Sequence, residues 1–175
     1  MQCFAMSNVG PSSITKYAKA DARRMSRWYF AYGSNMNPAR VIARGLAFDT
    51  IRGGALPGVR LTFDKQSREH PRGGHANLTF DRHGQVEGVL YRLRGPDDIV
   101  LMDRFERTPI NYSRDVVEVQ AGGAAIVAWT YFANPAVVRP NLRPERAYLE
   151  HLLAGRAYLS DAYHAFLAAT VCVDD

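Results

Sequence analysis

The segment Tyr29–Met36, with the sequence YFAYGSNM, constrains the fold of this chain more than any other. Its first residues are aromatic and β-prone, as in a buried strand. Gly33 then permits a sharp turn of the backbone, and Asn37-Pro38 supplies an N-cap and a first helical residue for a helix that runs to about Arg44. The segment therefore predicts a strand, a tight turn and a helix in immediate succession.

Beyond this segment, the chain combines short β-prone runs with inserted and appended helices, and it contains no internal repeat. Hairpins are predicted around two turn sequences, at 81–85 and at 122–123. One helix is predicted from Pro96 to about Arg107, and two more close the chain. Because the elements do not alternate as βαβ units, we predict an α+β fold with a curled mixed or antiparallel β-sheet, or a small β-barrel, and flanking helices.

The composition is that of a globular protein, with 47% hydrophobic and 22% charged residues among 175, and it excludes a disordered or fibrous chain. The longest apolar runs, such as Ile99–Met102, are far shorter than the roughly 20 residues of a membrane-spanning helix, so we expect a soluble protein. Cys3 and Cys172 lie at opposite ends of the chain, which gives neither a disulfide framework nor a zinc site. A reducing, cytoplasmic location is expected.

The net charge of +5 belongs mostly to residues 1–27, which carry five basic residues and one acidic residue. We expect this segment to be a flexible basic leader and residues 28–175 to form one domain. Within that domain 17 basic residues face 16 acidic ones, and acidic residues between Glu87 and Glu118 interrupt the arginines. The sequence therefore predicts no nucleic-acid partner, since such a surface needs a continuous basic stripe.

Backbone amides at the turn after the first strand form a candidate anion site. Successive N–H groups from Gly33 to Asn35, next to the start of a helix, suit a carboxylate or a developing oxyanion. The alternative is a plain strand-to-helix turn in which Ser34 and Asn35 act as caps. Spacing does not decide between the two.

Glu106 is the candidate acid or base. At 100° per residue it lies beside Ile99 and Met102 on a helix whose apolar stripe also includes Phe105. Burial raises the pKa of a carboxyl group towards the value of about 6 to 7 that suits a general base at neutral pH. The pattern indicates a carboxylate directed inward.

Three alternatives to this site remain open or are weaker. Glu106 at a helix end can also turn outward and pair with Arg104 or Arg107, and Asp103 competes with it on the same face. The histidines between residues 70 and 83 lack a cysteine or acid at ligand spacing, so no metal site is predicted. Ser34 is not part of a GxSxG nucleophile motif.

Four segments together resemble the gamma-glutamylcyclotransferase-like family: YFAYGSNM, MDRFERTPINYSR, WTYF and the C-terminal PERAYLEHLLAGRAYLSDAYHAFL. The resemblance covers about residues 28 to 169. It implies a small α+β domain with a curled sheet or barrel. It also implies an enzyme that cyclises a γ-glutamyl amide of a small molecule to 5-oxoproline and releases an amine, with no cofactor.

The resemblance assigns roles position by position. Glu106 matches the catalytic glutamate of the family, although Arg107 stands where a glycine commonly follows it. Tyr112 matches a tyrosine of the family only if the alignment is shifted by one residue. The positions matching substrate-binding residues are Tyr29, Phe30, Ala31, Tyr32, Gly33, Ser34, Asn35, Tyr131 and Tyr148.

Two functions therefore follow from the sequence. The first is a γ-glutamyl cyclotransferase in which Glu106 is the general acid and base. The second is a non-catalytic protein that binds or senses a γ-glutamyl or other carboxylate metabolite in the same pocket. A pure carboxylate binder gains nothing from a second negative charge nearby, and the presence of Glu106 therefore favours the enzyme. The identity of the released amine and the oligomeric state do not follow from the sequence.

Overall fold

Five β-strands curl into a closed barrel in the computed structural model, which describes residues 26–173. They are β1 (Trp28–Ala31), β2 (Phe48–Gln66), β3 (Gly74–Leu93), β4 (Tyr112–Ala121) and β5 (Ala124–Ala133). The order around the barrel is β1-β3-β2-β4-β5. All neighbours are antiparallel except β1 and β5, which are parallel. The predicted α+β fold with a small, mixed barrel is confirmed.

Helices lie between and after the strands: α1 (Pro38–Ala43), α2 (Val100–Glu106), α3 (Arg146–Leu153) and α4 (Asp161–Ala168). Short 3-10 turns accompany them at Ser34–Met36, Pro96–Ile99, Pro135–Val137 and Arg156–Tyr158. Asn37 caps α1, because its side chain accepts a hydrogen bond from the N–H of Ala39 at 3.0 Å. Ser160 caps α4 in the same way, with Tyr163 as the donor at 3.1 Å. Both predicted caps are present.

The predicted hairpin at 81–85 is wrong. β3 runs through this segment without reversing. β2 is likewise a single strand, although it contains the potential strand-breaking pairs Gly53-Gly54 and Pro57-Gly58. The register passes from Pro57 opposite Gln85 to Val59 opposite Phe80, so residues 81–84 bulge out of the ladder. Gly58 lies opposite this bulge in the left-handed region, at φ +80°. The turn signals at 81–85 therefore mark a bulge in a long hairpin, whose reversal lies at residues 67–73.

Two buried clusters hold the barrel and its helices together. One draws its core residues almost entirely from the strands and includes Phe30 and Leu90, both fully buried. The other joins strands to helices and includes Met36, Leu149 and Leu152, also fully buried. Burial of each such side chain stabilises the fold by about 1.5 to 3 kcal/mol. Since Met36 directly follows the turn after β1, its packing against α3 fixes the position of that turn.

The predicted leader lies outside the described residues, apart from Ser26 and Arg27. The Ser26 hydroxyl donates to the carbonyl of Val127 at 2.7 Å, and the N–H of Leu93 donates to the carbonyl of Arg27 at 2.6 Å. These two residues thus continue the line of β1 on its N-terminal side, between β3 and β5. From residue 26 to residue 173, none of the helices combines the length and the hydropathy needed to cross a bilayer.

Candidate active site

A narrow chamber opens at the end of β1, where the turn at residues 33–35 meets the end of α2. It encloses about 320 Å³ of space between protein atoms, part of it open to solvent. Its walls are Tyr29, Tyr32, Gly33, Ser34, Asn35, Ala76, Glu106, Tyr112, Thr130, Tyr131 and Tyr148. The fold thus gathers most of the site residues predicted from the sequence into one cavity. Phe30 and Ala31 do not line it; both lie in the core.

Glu106 is the last residue of α2 and contributes a carboxylate to the chamber wall. Its Oε1 atom lies 3.0 Å from Nδ2 of Asn35 and 3.6 Å from Nη1 of Arg44. The side chain is 18% exposed. The inward direction predicted from helical phase is therefore observed. Neither of the outward partners considered, Arg104 and Arg107, forms an ion pair with it among the described residues.

The predicted place of Phe105 in the buried stripe is wrong, because this ring is 43% exposed. Ile99 and Met102 are buried on the inner face. At 100° per residue, Phe105 is 60° from Met102 on one side and Glu106 is 40° from it on the other. Phe105 therefore lies at the rim, where the guanidinium of Arg44 covers its ring at 4.7 Å from the centroid.

The pKa of Glu106 is raised, and burial is the main cause. Four interactions oppose the rise: the charge of Arg44, the hydrogen bond from Asn35, and the charges of Lys65 and Arg40. Burial disfavours the ionised carboxylate, while nearby cations and donors favour it. The net effect is that Glu106 gains and loses its proton at a pH closer to neutrality than an exposed glutamate does.

The side chain of Asn35 holds this carboxylate in place and is 3% exposed. Its Nδ2 atom donates to the hydroxyl of Tyr29 at 2.8 Å as well as to Glu106. Its Oδ1 atom accepts from Nη1 of Arg44 at 2.7 Å. The backbone carbonyl of Asn35 accepts from the hydroxyl of Tyr91 at 2.8 Å. Because both Nδ2 and Oδ1 of Asn35 have hydrogen-bond partners, the side-chain amide is held in one orientation. The amide in turn fixes the orientation of the Glu106 carboxylate.

The turn at residues 33–35 is tightly packed. A Cβ atom on Gly33 would lie 3.1 Å from both Ala76 Cβ and the Tyr148 hydroxyl, so close approach is the reason for glycine at this position. The N–H of Met36 donates to the carbonyl of Gly33 at 2.8 Å and closes the turn. The side chain of Asn35 contacts Glu106 instead of capping a helix, so the alternative of a capping role is wrong for Asn35.

Tyrosine hydroxyls connect the turn to the barrel. The hydroxyl of Tyr148 accepts a hydrogen bond from the backbone amide of Ala76 at 3.0 Å. Burial raises the pKa of Tyr148 to about 12, which keeps it a neutral hydroxyl. The hydroxyl of Tyr112 donates to the carbonyl of Ala76 at 2.9 Å. Tyr148 and Tyr112 therefore fix the chamber wall formed by the start of β3.

Asp103, the competing acid on α2, lies behind the chamber rather than in its wall. Its Oδ1 atom accepts from the hydroxyl of Tyr131 at 2.8 Å, and its Oδ2 atom lies 3.1 Å from Nη1 of Arg114. Both oxygens thus have partners, and Asp103 itself does not line the chamber. This arrangement distinguishes the two acids: Asp103 orients Tyr131, and Glu106 faces the chamber.

The chamber continues into a wider cleft of about 1130 Å³, part of it open to solvent. Ser34, Glu106, Tyr112 and Tyr148 line both spaces. The cleft is rich in arginine, lysine and histidine side chains, most of which sequence reasoning missed because they come from separate segments of the chain. They are Arg40, Arg44, Lys65, Arg68, His75, Arg107 and His151, which face the acids Glu69, Glu106 and Glu145.

Among residues 26–173, no three histidine, cysteine, aspartate or glutamate side chains converge to hold a metal ion. His75, one of the histidines considered above, stacks on the ring of Tyr148 with 4.6 Å between centroids. Burial, together with the charges of Lys65 and Arg40, lowers the pKa of His75 to about 4. This histidine is therefore a neutral ring in the wall of the cleft.

Residues 29–151 match the family model described as gamma-glutamyl cyclotransferase, AIG2-like. The match spans more than half of the chain and includes every residue of the chamber wall. The chain belongs to this family. Membership supports a cyclotransferase-type enzyme that acts on a small molecule. No curated protein matches the sequence of this family member.

Solved structures share its fold. One is a gamma-glutamyl cyclotransferase, with a TM-score of 0.72 and 24% identity over 85% of this chain and 89% of that chain. An uncharacterized protein from Homo sapiens gives a TM-score of 0.73 and 23% identity with the same coverage. YkqA from Bacillus subtilis gives 0.72 and 23% over 90% of this chain and 60% of that chain. At these identities the likeness establishes the cyclotransferase fold.

Proposed function

We propose that this protein is a γ-glutamyl cyclotransferase, which converts a γ-glutamyl amine or peptide to 5-oxoproline and a free amine, with Glu106 as general acid and base. The observation that carries the proposal is the position of the Glu106 carboxylate, between the chamber and the cleft and hydrogen-bonded to Asn35. Family membership supports the reaction class.

The γ-glutamyl head enters the chamber and the leaving amine stays in the cleft. Ring closure is intramolecular, so the main task of the protein is to hold the head in its folded conformer. Packed walls suit this task, since the tyrosine rings and the turn at residues 33–35 are fixed by buried contacts. The backbone amides from Gly33 to Asn35 are the proposed donors to a negative charge of the substrate, either its α-carboxylate or the developing oxyanion.

The α-amine of the substrate is mostly protonated at neutral pH and cannot attack while it carries the extra proton. The ionised carboxylate of Glu106 removes that proton. The amine nitrogen then forms a bond to the γ-carbonyl carbon, and the bond from that carbon to the leaving nitrogen breaks. Glu106 returns the proton to the leaving nitrogen, so one carboxyl group serves both steps. The attacking nitrogen loses its second proton as the lactam forms, and the released amine takes up a proton to become an ammonium group. A raised pKa suits a group that must both accept and return a proton.

The test incubates the purified full chain with a panel of γ-glutamyl dipeptides and amines and follows 5-oxoproline by mass spectrometry. Glu106→Gln removes the base, and we expect it to lower the turnover rate by about 10²- to 10⁴-fold. Glu118→Gln is the matched control, because Glu118 is exposed on β4 outside the site, and its activity should equal that of the wild type.

Undiminished turnover in a folded Glu106→Gln variant would exclude the role given to Glu106. Saturable binding of γ-glutamyl compounds without any 5-oxoproline from the wild type would instead support the binding or sensing protein.

A further inference from the structure

Lys65 is a largely buried cation that forms no ion pair with an acid among residues 26–173. It lies near the end of β2, is 4% exposed and lines the cleft. Its ammonium group is 5.9 Å from the centre of the Tyr112 ring. In the part of the chain that the structure describes, this group makes neither a hydrogen bond nor an ion pair. A buried, unpaired charge is costly for a fold, so a ligand that supplies the missing anion would bind here with advantage.

The acidic side chains that line the cleft do not supply an ion-pair partner for Lys65. Glu106 is engaged by Asn35 and Arg44. Glu69 and Glu145 also line the cleft, yet neither lies within ion-pair distance of Lys65. Burial lowers the pKa of Lys65, the charge of Glu106 opposes this shift, and the charge of Arg68 adds to it. The cleft lined by Lys65 holds five arginine and lysine side chains against three glutamates, and therefore has a surplus of positive charge.

Arg40 of α1 is a second cation of the cleft that forms no ion pair with an acid among the described residues. Its Nε atom is buried and has no hydrogen-bond partner among residues 26–173. Its Nη1 atom lies 3.2 Å from Nε2 of His151, which is also part of the cleft. Arg40 and Lys65 both act on the pKa of His75, so the two cations lie on the same region of the cleft wall.

Both cations line the cleft and neither lines the chamber. If the γ-glutamyl head fills the chamber up to Glu106, the leaving amine extends past Lys65 and Arg40. On the basis of the proposed function, we infer that Lys65, assisted by Arg40, binds an anionic group on the leaving amine. The preferred substrates are then γ-glutamyl amines with an acidic tail, and neutral tails or cationic polyamine tails are disfavoured.

The experiment compares γ-glutamylglycine with γ-glutamylglycinamide, which differ only in the negative charge of the tail. Calorimetry with the full chain carrying Glu106→Gln measures their binding without turnover. We expect the acid to bind at least about 10-fold more tightly than the amide, because a charge-assisted pair is stronger than a neutral contact. Adding Lys65→Met should reduce this ratio to near one.

Two controls isolate the effect of Lys65. Arg60→Met removes an exposed cation from the same strand, β2, and should leave the ratio unchanged. Lys65→Gln and Arg40→Gln are neutral variants that give the same comparison if Lys65→Met does not fold. Because the comparison is made with Glu106→Gln, an effect of Lys65 on the pKa of Glu106 cannot change the ratio.

Equal affinity of the Glu106→Gln protein for the two ligands would overturn the inference, as would an equal loss of affinity for both in the Lys65 variants. Production of 5-oxoproline by the wild type is a separate readout. A protein that forms 5-oxoproline without preferring the acid disproves only the tail preference. A protein that prefers the acid but forms no 5-oxoproline disproves only the proposed reaction.

Discussion

The amide nitrogen of Asn35 lies 3.0 Å from the carboxylate of Glu106 and joins the turn after β1 to the end of α2. The same nitrogen donates to the Tyr29 hydroxyl, and the amide oxygen accepts from Arg44. The orientation of the proposed general base is therefore set by groups from three separate elements. Four predictions follow from the contacts of this site.

Asn35→Ala removes the hydrogen bond to Glu106 and leaves the backbone contact with Tyr91 in place. We expect kcat/KM for 5-oxoproline formation to fall about 10- to 100-fold, the usual value of a hydrogen bond to a charged group. The acid limb of the pH profile should also move to higher pH, because this bond lowers the pKa of Glu106. If circular dichroism shows that Asn35→Ala does not fold, Asn35→Ser is measured in its place. An unchanged pH profile in a folded variant would contradict the assignment.

Arg44→Met removes the nearest cation, which lies 3.6 Å from the Glu106 carboxylate. Arg44 favours the ionised form, so its loss raises the pKa of Glu106 further. Since the ionised form is the proposed base, kcat/KM should fall most at acidic pH and recover in part as the pH rises. The measurement is kcat/KM between pH 5 and pH 9. Arg104→Met, on the exposed side of α2, is the control and should follow the wild-type profile.

Glu106→Gln should increase stability at neutral pH. The pKa of Glu106 in the folded protein is raised above its ordinary value of 4.5, so folding favours the protonated form. The wild type therefore loses stability as the pH rises from about 4.5 through the folded pKa, and the variant lacks this loss. Urea unfolding over this range should show a growing advantage of the variant that becomes constant at higher pH. A variant less stable than the wild type at every pH would refute the argument.

Gly33→Ala tests the close packing of the turn. The added methyl group would lie 3.1 Å from the Tyr148 hydroxyl and from Ala76 Cβ, and overpacking of this kind costs about 1 to 3 kcal/mol. We expect a lower melting temperature and a lower kcat/KM. Gly95→Ala is the matched control, because its Cβ would meet nothing nearer than Asp98 Oδ1 at 3.5 Å. Equal behaviour of the two variants would show that the turn tolerates a side chain.

Local sequence patterns predicted much of the fold. The caps at Asn37 and Ser160 and the turn at Gly122-Gly123 depend on residues close in sequence, and each is observed. Both glycines of that turn have positive φ, 59° and 78°, as a tight hairpin requires. The sequence predicts a reversal at 81–85 where the structure has a bulge at 81–84, because aspartate and glycine give the same local signal for both.

The site was predictable to a different extent. The phase of α2 directs Glu106 inward, and this follows from the sequence alone. Its partners do not: Arg44 comes from the end of α1 and Lys65 from β2, and only the closure of the barrel brings them near. Burial, which raises the pKa of Glu106, and the cations, which lower it, are likewise properties of the folded chain.

The chamber and the cleft are formed by different parts of the fold, because the end of the long hairpin of β2 and β3 lines the cleft. The chamber draws on the strands β1, β3, β4 and β5, on the turn after β1 and on the helices α2 and α3. By contrast, Lys65 and His75 are paired positions beside the hairpin reversal at residues 67–73. A change in the length or sequence of that reversal alters the cleft while the barrel remains intact. The hairpin end is thus a part of the cavity whose shape and charge can change independently of the residues that surround Glu106.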